Sequence, residues 1–339
     1  MKEKKASNFK HRTLKTLLVI VIVIAFFIIL GILILKIVAP IYYQDFYDKA
    51  QCEFEIPELS TGFIPQGFEY RTEDKVFLIS GYIYKSDVSR VYIVEPDGRY
   101  TKVEIQDTDG SALISHSGGI CSLGEFIYIA GCDGKCYVLT AESVMESESG
   151  SARIIGSFDT YNDAVFCCVN GDKLYVGEYY HPIKFKTNKE HWLVTPSGDK
   201  NNAIVTAFDM EEGSQLGVEK MPVVAYSIRS TVQGMCFTDD NKIVLSSSSV
   251  FKGSQLYYYD FEAISKGITG IIAIEDTTIP LYYVDRSNLK QKIEVLPKSE
   301  GLAFRDGRVY MLFESASKRF KYGKLLKGDY VYSYDEEIE

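Results

Sequence analysis

The chain has 339 residues, 46% of them hydrophobic and 24% charged, so it can form a folded core and is neither disordered nor collagen-like. The 25 tyrosines and 19 phenylalanines favour strands and the 26 glycines supply turns, which argues against an all-helical fold. Residues 1–15 carry a charge of +5 within a formal total of −9, so the remaining chain carries −14. An acidic body is a poor partner for nucleic acid.

A single apolar segment lies near the N-terminus. Nineteen residues from Leu17 to Leu35 carry no charge and would form a helix about 28 Å long, which matches a hydrocarbon core of about 30 Å. The run exceeds the apolar part of a cleaved signal peptide, and no small-residue cleavage site follows it. Basic residues precede it, so we predict a single-pass protein of the cell membrane. Its cytoplasmic tail is residues 1–15, its transmembrane helix 16–38, its stalk 39–52 and its extracytoplasmic domain 53–339.

The extracytoplasmic domain repeats one unit five times. Each unit starts with a small residue at the beginning of a first β-strand, which a turn joins to a second strand that ends near a polar residue. A tyrosine-rich third strand follows, and most copies have a fourth. Four strands in repeats of 45 to 70 residues predict an all-β fold, a propeller of five blades. Six blades are the alternative, because the two longest repeats have room for another unit. The last copy has room for three strands, so we predict that residues 52–56 supply its outer strand.

Several phrases of the domain resemble one group of proteins. They are PQGF at 65–68, SHSGGI at 115–120, EYYHP at 178–182, EHWLVTPSGDKNNA at 190–203, YSIRSTVQGMCFTDDNKIVLSSS at 226–248 and LPKSEGLAFRDGRVYMLFESAS at 296–317. The group comprises exported, membrane-anchored β-propeller proteins of Gram-positive bacteria, for which no reaction is established. The resemblance covers most of residues 60–335 and implies the fold and a bacterial cell-surface setting. It implies no activity.

Polar residues recur where the innermost strands begin and the second strands end, which is one face of a propeller around its central channel. We predict a ligand site at this channel mouth, suited to a hard cation or a hydroxylated ligand. Its members are Gln66, His116, Asp163, Glu178, Gln233, Glu300 and Glu314. Asp163 and Glu300 are candidate ligands for Ca²⁺ or another divalent cation, and we expect both to converge on His116. The alternative is that these residues satisfy backbone groups and hydrate a water-filled channel.

An insertion, residues 179–202, separates the second and third strands of the third blade. It contains His181, His191 and Trp192, the only tryptophan of the chain. Loops of this length are usually functional or disordered, so we predict a lid or a partner-contact loop. Surface decoration with solvated histidines is the alternative.

The seven cysteines cannot all pair within one chain. Cys132 and Cys136 flank an Asp-Gly turn and are candidates for a disulfide, although hairpin pairing would place Cys132 opposite Lys135. Cys121, Cys167 or Cys168, and Cys236 lie in strand-like runs, so we expect them to be buried as small hydrophobic residues.

The sequence contains no nucleophile elbow, phosphate loop or HExxH motif. The preferred hypothesis is therefore not an enzyme but a ligand-binding or protein-interaction module at the cell surface, whose partner is a cell-envelope ligand or a protein. The alternative is a divalent-metal-assisted hydrolase of lactonase or nucleotidase type. In that mechanism Asp163, Glu300 and Glu178 would hold the cation and His116 would act as general base.

Overall fold

A computed structural model of the protein describes residues 2–147, 150–249 and 252–335. Valine, isoleucine, tyrosine and phenylalanine dominate the strands, and glycines at positive φ occupy hairpin turns, such as Gly134 (φ 83°) between two strands of one blade. The strands are β1 (Gln51–Glu55), β2 (Phe63–Arg71), β3 (Val76–Ile83), β4 (Ser89–Val94), β5 (Tyr100–Gln106), β6 (Gly119–Leu123), β7 (Phe126–Ala130), β8 (Lys135–Thr140), β9 (Ser151–Arg153), β10 (Gly156–Asp159), β11 (Phe166–Asn170), β12 (Lys173–Gly177), β13 (Leu193–Val194), β14 (Lys200–Asn201), β15 (Ala203–Asp209), β16 (Val224–Ile228), β17 (Val232–Phe237), β18 (Lys242–Ser249), β19 (Lys252–Asp260), β20 (Thr269–Ile274), β21 (Thr277–Tyr283), β22 (Leu289–Val295), β23 (Ser299–Arg305), β24 (Arg308–Phe313) and β25 (Tyr330–Asp335).

The strands form five blades around one axis. We number the blades 1 to 5. The first four strands of each, counted from the axis outwards, are β2-β3-β4-β5, β6-β7-β8-β10, β11-β12-β15-β16, β17-β18-β19-β22 and β23-β24-β25-β1. Each innermost strand contacts the next, and β23 contacts β2, so the ring is closed. The prediction of a five-bladed propeller is confirmed.

The N-terminal strand closes the ring as the sequence predicts. β1 pairs antiparallel with β25, and Cys52 lies opposite Tyr332. The fifth blade therefore takes three strands from the C-terminal end of the chain and one from the segment that follows the apolar helix. This arrangement ties the two ends of the propeller together.

The extra length in the fourth repeat does not form a sixth blade. Its residues form the hairpin β20–β21, which adds to the outer edge of blade 3, where β21 runs parallel to β16 with Ala225 opposite Leu281. Blade 1 is extended in a similar way by β9, parallel to β5. Apolar side chains hold the hairpin against blade 3, among them Ile272, Ile274 and Ile279.

In the described part of the chain the strands are accompanied by the α-helices α1 (Lys2–Tyr42), α2 (Gln44–Lys49), α3 (Ala141–Met145) and α4 (Phe261–Ser265) and by the short 3₁₀ turns Lys189–His191 and Tyr322–Leu326. Residues 39–52, predicted as a stalk, hold the end of α1, α2 and the start of β1. Tyr43 and Phe46 are buried against the outer parts of blades 4 and 5. No disulfide joins the seven cysteines, so Cys132 and Cys136 are not bridged.

Backbone contacts close the centre of the ring, contrary to the expected water-filled channel. The cavity that the glycines of the innermost strands line at the axis has a volume of about 10 Å³, which is room for at most one water molecule. A Cβ atom on Gly67 would lie 2.5 Å from the backbone nitrogen of Ile120, and one on Gly301 would lie 2.5 Å from that of Phe68. The repeated small residues therefore allow the innermost strands to approach each other around the axis.

Candidate functional site

Two faces of the ring can be distinguished by strand direction. We call the edge at which the innermost strands begin and the second strands end the upper face, and the opposite edge the lower face. Antiparallel pairing places the start of β11 beside the end of β12 and the start of β23 beside the end of β24. The residues of the predicted channel mouth therefore all belong to the upper face, but their contacts divide them into separate groups.

The first group lies at the top of blade 5. The Nζ atom of Lys298 lies 3.0 Å from Oε1 of Glu314, and the amide of Gln66 donates to Oε2 of Glu314 over 3.3 Å. Glu300 is buried beside Glu314 and is hydrogen-bonded by Gln233. Four of the predicted site residues are thus brought together here.

Burial and neighbouring charges shift the pKa values of this first group. Burial, and next the charge of Glu314, raises the pKa of Glu300 well above its ordinary value. Burial acts to lower the pKa of Lys298, but Glu314 and Glu300 outweigh it and the pKa is raised. Lys298 and Gln66 satisfy Glu314, whereas the Oε1 atom of Glu300 is buried and has no hydrogen-bond partner among the described residues.

The second group lies at the top of blade 3. The Nδ1 atom of His191 lies 2.7 Å from Oε1 of Glu178, which also accepts the backbone N–H of Ile204 over 3.0 Å. The Glu178 residue is 1% exposed, and its Oε2 atom has no hydrogen-bond partner in the described part of the chain. Burial raises the pKa of Glu178, and His191 opposes that shift.

A cavity of about 370 Å³ adjoins this pair, and we call it the His191 cavity. Burial also raises the pKa of Asp163 at its exposed rim, against the opposing effect of His191. Four carboxyl groups and one imidazole line the cavity, so carboxyl groups outnumber basic groups on its wall. The lining residues are Gly134, Asp159, Tyr161, Asn162, Asp163, Glu178, Asn188, His191 and Glu275.

The insertion 179–202 places His191 in the cavity. Asn188 caps the 3₁₀ turn Lys189–His191 by accepting the backbone N–H of Glu190, and the short hairpin β13–β14 follows. The indole of Trp192 donates to Thr187 over 3.0 Å and packs edge-to-face on Tyr180. His191 is buried rather than solvated, whereas His181 accepts the backbone N–H of Ile183 near the tip of the loop.

His116 belongs to neither group, contrary to the expected convergence of Asp163 and Glu300 upon it. Its ring stacks on Tyr82 with centroids 4.3 Å apart, and its Nε2 atom lies 3.6 Å from Asp87. Among the described residues, no ion pair within 4.0 Å joins it to Asp163 or Glu300. His116 lies in the connection that leads into β6, and its side chain packs on blade 1 rather than at the axis.

The predicted metal ligands are likewise divided between the two groups. Asp163 lines the His191 cavity, and Glu300 lies with Glu314 and Lys298. Within residues 2–147, 150–249 and 252–335, no three His, Cys, Asp or Glu side chains are arranged to hold a metal ion. The arrangement of these donors gives the metal-assisted mechanism no support.

Two features of the channel were missed from the sequence. The first is Lys298, which forms an ion pair with Glu314; its position two residues before Glu300 was the signal for it in the sequence. On the lower face, a cavity of about 170 Å³ is lined by Glu69 with Cys121, Cys167, Cys168 and Cys236. Burial raises the pKa of Glu69 to about 7, although Ser122 donates two hydrogen bonds to it. The signal for this site in the sequence was the charged residue Glu69 within an innermost strand.

Comparison with known proteins identifies no family for the chain. No family model matches it, and no curated protein sequence matches it. Among solved structures, it is similar to the PQQ-bound aldose sugar dehydrogenase of Streptomyces coelicolor, with 12% identity over 84% of this chain and 96% of that chain and a TM-score of 0.43. It is also similar to a glutaminyl cyclase of Myxococcus xanthus (10% identity, 77% and 90% coverage, TM-score 0.39). A third is BamB of Moraxella catarrhalis (9%, 82% and 84%, 0.35). Likeness this slight carries no functional argument, and the fold rests on the strand pairing described above.

Proposed function

We propose that the protein is a membrane-anchored β-propeller whose body lies outside the cytoplasm and whose His191 cavity binds a cationic group of a cell-envelope ligand or a partner protein. The observation that carries the binding proposal is the Oε2 atom of Glu178. Glu178 lines the cavity, and this oxygen is buried with no hydrogen-bond partner among the described residues. A buried carboxylate oxygen without a partner is costly, and a donor brought by a ligand would remove that cost.

The charge of the cavity determines the kind of donor. Besides the hydrogen-bonded pair of His191 and Glu178, the exposed carboxyl groups of Asp159, Asp163 and Glu275 line the opening. A ligand that carries an ammonium or guanidinium group would satisfy Glu178 and compensate this charge. The volume of about 370 Å³ is within the range of small-molecule pockets and suffices for a basic side chain.

A peptide titration tests the binding proposal. The full chain in detergent is titrated with trilysine and, separately, with triglutamate. We expect trilysine to bind and triglutamate not to bind, and Glu178→Gln to weaken trilysine binding about tenfold, equivalent to about 1.4 kcal/mol. Glu142→Gln, on exposed α3 at the lower face, is the matched control and should leave binding unchanged. Equal binding of both peptides, or an unaffected Glu178→Gln variant, would contradict the proposal.

The anchor proposal is supported by the length and composition of the helix. Thr13–Tyr42 is long and apolar enough to cross a membrane, and its apolar window has no buried part, although a signal sequence would satisfy the same criteria. The basic residues before it favour a cytoplasmic N-terminus. The continuation of α1 into residues that pack on the propeller favours a helix that is retained.

Cys52 provides the test of anchoring and orientation, because it is exposed in β1. Intact cells are treated with a membrane-impermeant maleimide, and membranes are washed with alkaline carbonate. We expect the chain to stay in the membrane fraction and to be labelled, and Cys52→Ser to abolish the label. Release by carbonate would contradict anchoring, and labelling only after lysis would contradict the orientation.

A further inference from the structure

The apolar helix is joined to the propeller without a flexible linker. Only Tyr43 lies between α1 and α2, and it is itself buried. The Tyr42 hydroxyl donates to Oε1 of Glu294 over 2.8 Å, and the Tyr47 hydroxyl donates to the carbonyl of Leu326 over 2.6 Å. Phe46, 1% exposed, packs among aromatic rings of blade 5. The direction in which the helix leaves the body is therefore held by side-chain packing.

These contacts place the end of the helix at the upper face. Leu326 belongs to the connection that leads from the end of β24 to the start of β25, and α1 contacts this connection. Tyr43 lies beside Gly253, at the start of β19, and its hydroxyl would be 3.2 Å from a Cβ atom there. The connection after β24 and the start of β19 both lie at the ends of second strands, so the helix departs on the side of the His191 cavity.

The helix continues for only a short distance between the end of its apolar run and the propeller. Seven residues separate Leu35, the end of the apolar run, from Tyr42, which is about 10 Å of helix. The headgroup layer on each side of a bilayer is roughly 5–8 Å thick. If α1 spans the membrane, the upper face lies at the headgroups.

The exposed apolar side chains are concentrated on this same face. Outside α1, the described chain exposes ten large apolar side chains. Six of them lie in connections that leave a second strand or enter an innermost strand, which are upper-face connections: Tyr84, Ile114, Ile183, Phe185, Val194 and Tyr322. Ile183 is the most exposed of these, at 81%, and occupies a tight turn between His181 and Phe185 that two backbone hydrogen bonds close.

Basic residues flank two of these apolar tips, Phe185 and Tyr322. Lys184 and Lys186 flank Phe185, and all three are exposed. The connection from 315 to 328 contains no acidic residue and holds five exposed basic ones beside the end of α1: Lys318, Arg319, Lys321, Lys324 and Lys327. Apolar tips among basic side chains are typical of surfaces that bind anionic lipid.

We infer that the upper face of the propeller is a membrane-docking surface that rests on anionic lipid headgroups of the bilayer that α1 crosses. This inference rests on the proposed anchor. The chain beyond residue 15 carries a charge of −14, so its net charge alone would not attract it to anionic lipid. The anchor holds the propeller near the bilayer, and the basic segment 318–327 and the apolar tips then bind the lipid locally. Ligands of the His191 cavity then approach along the membrane surface.

The single tryptophan allows a direct test by fluorescence. Trp192→Phe provides a background without tryptophan, into which Ile183→Trp is introduced, and the full chain is reconstituted in nanodiscs of phosphatidylcholine and phosphatidylglycerol with brominated acyl chains. We expect the introduced indole to emit at shorter wavelength and to lose intensity relative to nanodiscs of unbrominated lipid. Reversing the basic segment with Lys318→Glu, Lys321→Glu and Lys324→Glu should diminish this quenching, as should nanodiscs of phosphatidylcholine alone.

Two further variants in the same background distinguish a failure of the docking surface from a failure of the anchor. Tyr100→Trp places the indole on an exposed position of the lower face and should not be quenched. Phe27→Trp places it in the helix and should be quenched whenever the helix is inserted. A quenched Phe27→Trp with an unquenched Ile183→Trp would overturn the docking surface and leave the anchor intact. An unquenched Phe27→Trp would overturn the anchor, and equal quenching of Ile183→Trp and Tyr100→Trp would also overturn the docking surface.

Discussion

The Nδ1 atom of His191 lies 2.7 Å from Oε1 of Glu178, although the two residues are thirteen positions apart and an insertion carries one of them back to the other. Both residues are buried, and the described structure offers Glu178 only one other hydrogen bond, from the backbone N–H of Ile204. The pair therefore fixes the insertion to blade 3 and also forms one wall of the His191 cavity.

Removal of His191 should destabilise the protein more than removal of an outer histidine. His191→Ala leaves Oε1 of the buried Glu178 with the Ile204 N–H as its one hydrogen-bond donor, which costs about 2 kcal/mol of unfolding free energy. The cost should shrink below the ordinary glutamate pKa of about 4.5, where Glu178 is protonated in both the folded and the unfolded state. Urea denaturation at pH 8 and pH 3.5 measures it. His181→Ala, near the exposed tip, should change stability by less than about 0.5 kcal/mol; equal costs for both variants would contradict the importance of the pair.

Replacement of Glu69 should stabilise the protein in a pH-dependent way. Burial raises the pKa of Glu69 from 4.5 to about 7, so ionisation is harder in the folded state than in the unfolded state. Wild-type stability therefore falls, relative to Glu69→Gln, as pH rises from about 4.5 to 7, by on the order of 3 kcal/mol. Chemical denaturation from pH 4.5 to 8 tests this. Glu73→Gln, whose side chain is 58% exposed, is the control, and parallel pH profiles for wild type and Glu69→Gln would refute the expectation.

A methyl group at the axis should disrupt the ring. Gly301→Ala would place a Cβ atom 2.5 Å from the backbone nitrogen of Phe68, and neither backbone can move without shifting its blade. We expect a loss of about 3 kcal/mol or more, or a failure to fold. Gly171→Ala lies in a turn with φ of 60° and open space around it, so only its backbone conformation is penalised, by about 1 kcal/mol. Comparable melting temperatures for the two variants would show that the close approach of the strands is unimportant.

Truncation of Phe46 should loosen the N-terminal segment from the propeller. Its ring lies 5.1 Å from that of Tyr332 and 5.6 Å from that of Tyr334, and it is 1% exposed. Phe46→Ala should cost about 4 kcal/mol and speed the exchange of backbone amide hydrogens in β1. Phe185→Ala, with a side chain 59% exposed, is the matched control and should affect neither measurement in detergent. Unchanged exchange in β1 would mean that Phe46 does not hold this segment.

The sequence by itself determined the propeller architecture and the closure of the ring and favoured five blades over six, because these features follow from local periodic patterns. Alternating apolar residues and small residues at each strand start recur five times, and the three strands left after Glu300 require a partner that only residues near Cys52 supply. The burial of Cys121, Cys167, Cys168 and Cys236 follows from the same alternation. These features depend on the position of a residue within its repeat.

Only the tertiary structure decided which polar residues of the upper face meet. Position within a repeat determines the face on which a residue lies but not its direction about the axis, so His116 could pair with Asp87 while Glu300 paired with Glu314. The path of the insertion, which buries His191 on Glu178, depends on contacts between residues distant in sequence. The same holds for the hairpin β20–β21, which leaves its own repeat because blade 3 offers it an apolar surface and an unpaired strand edge.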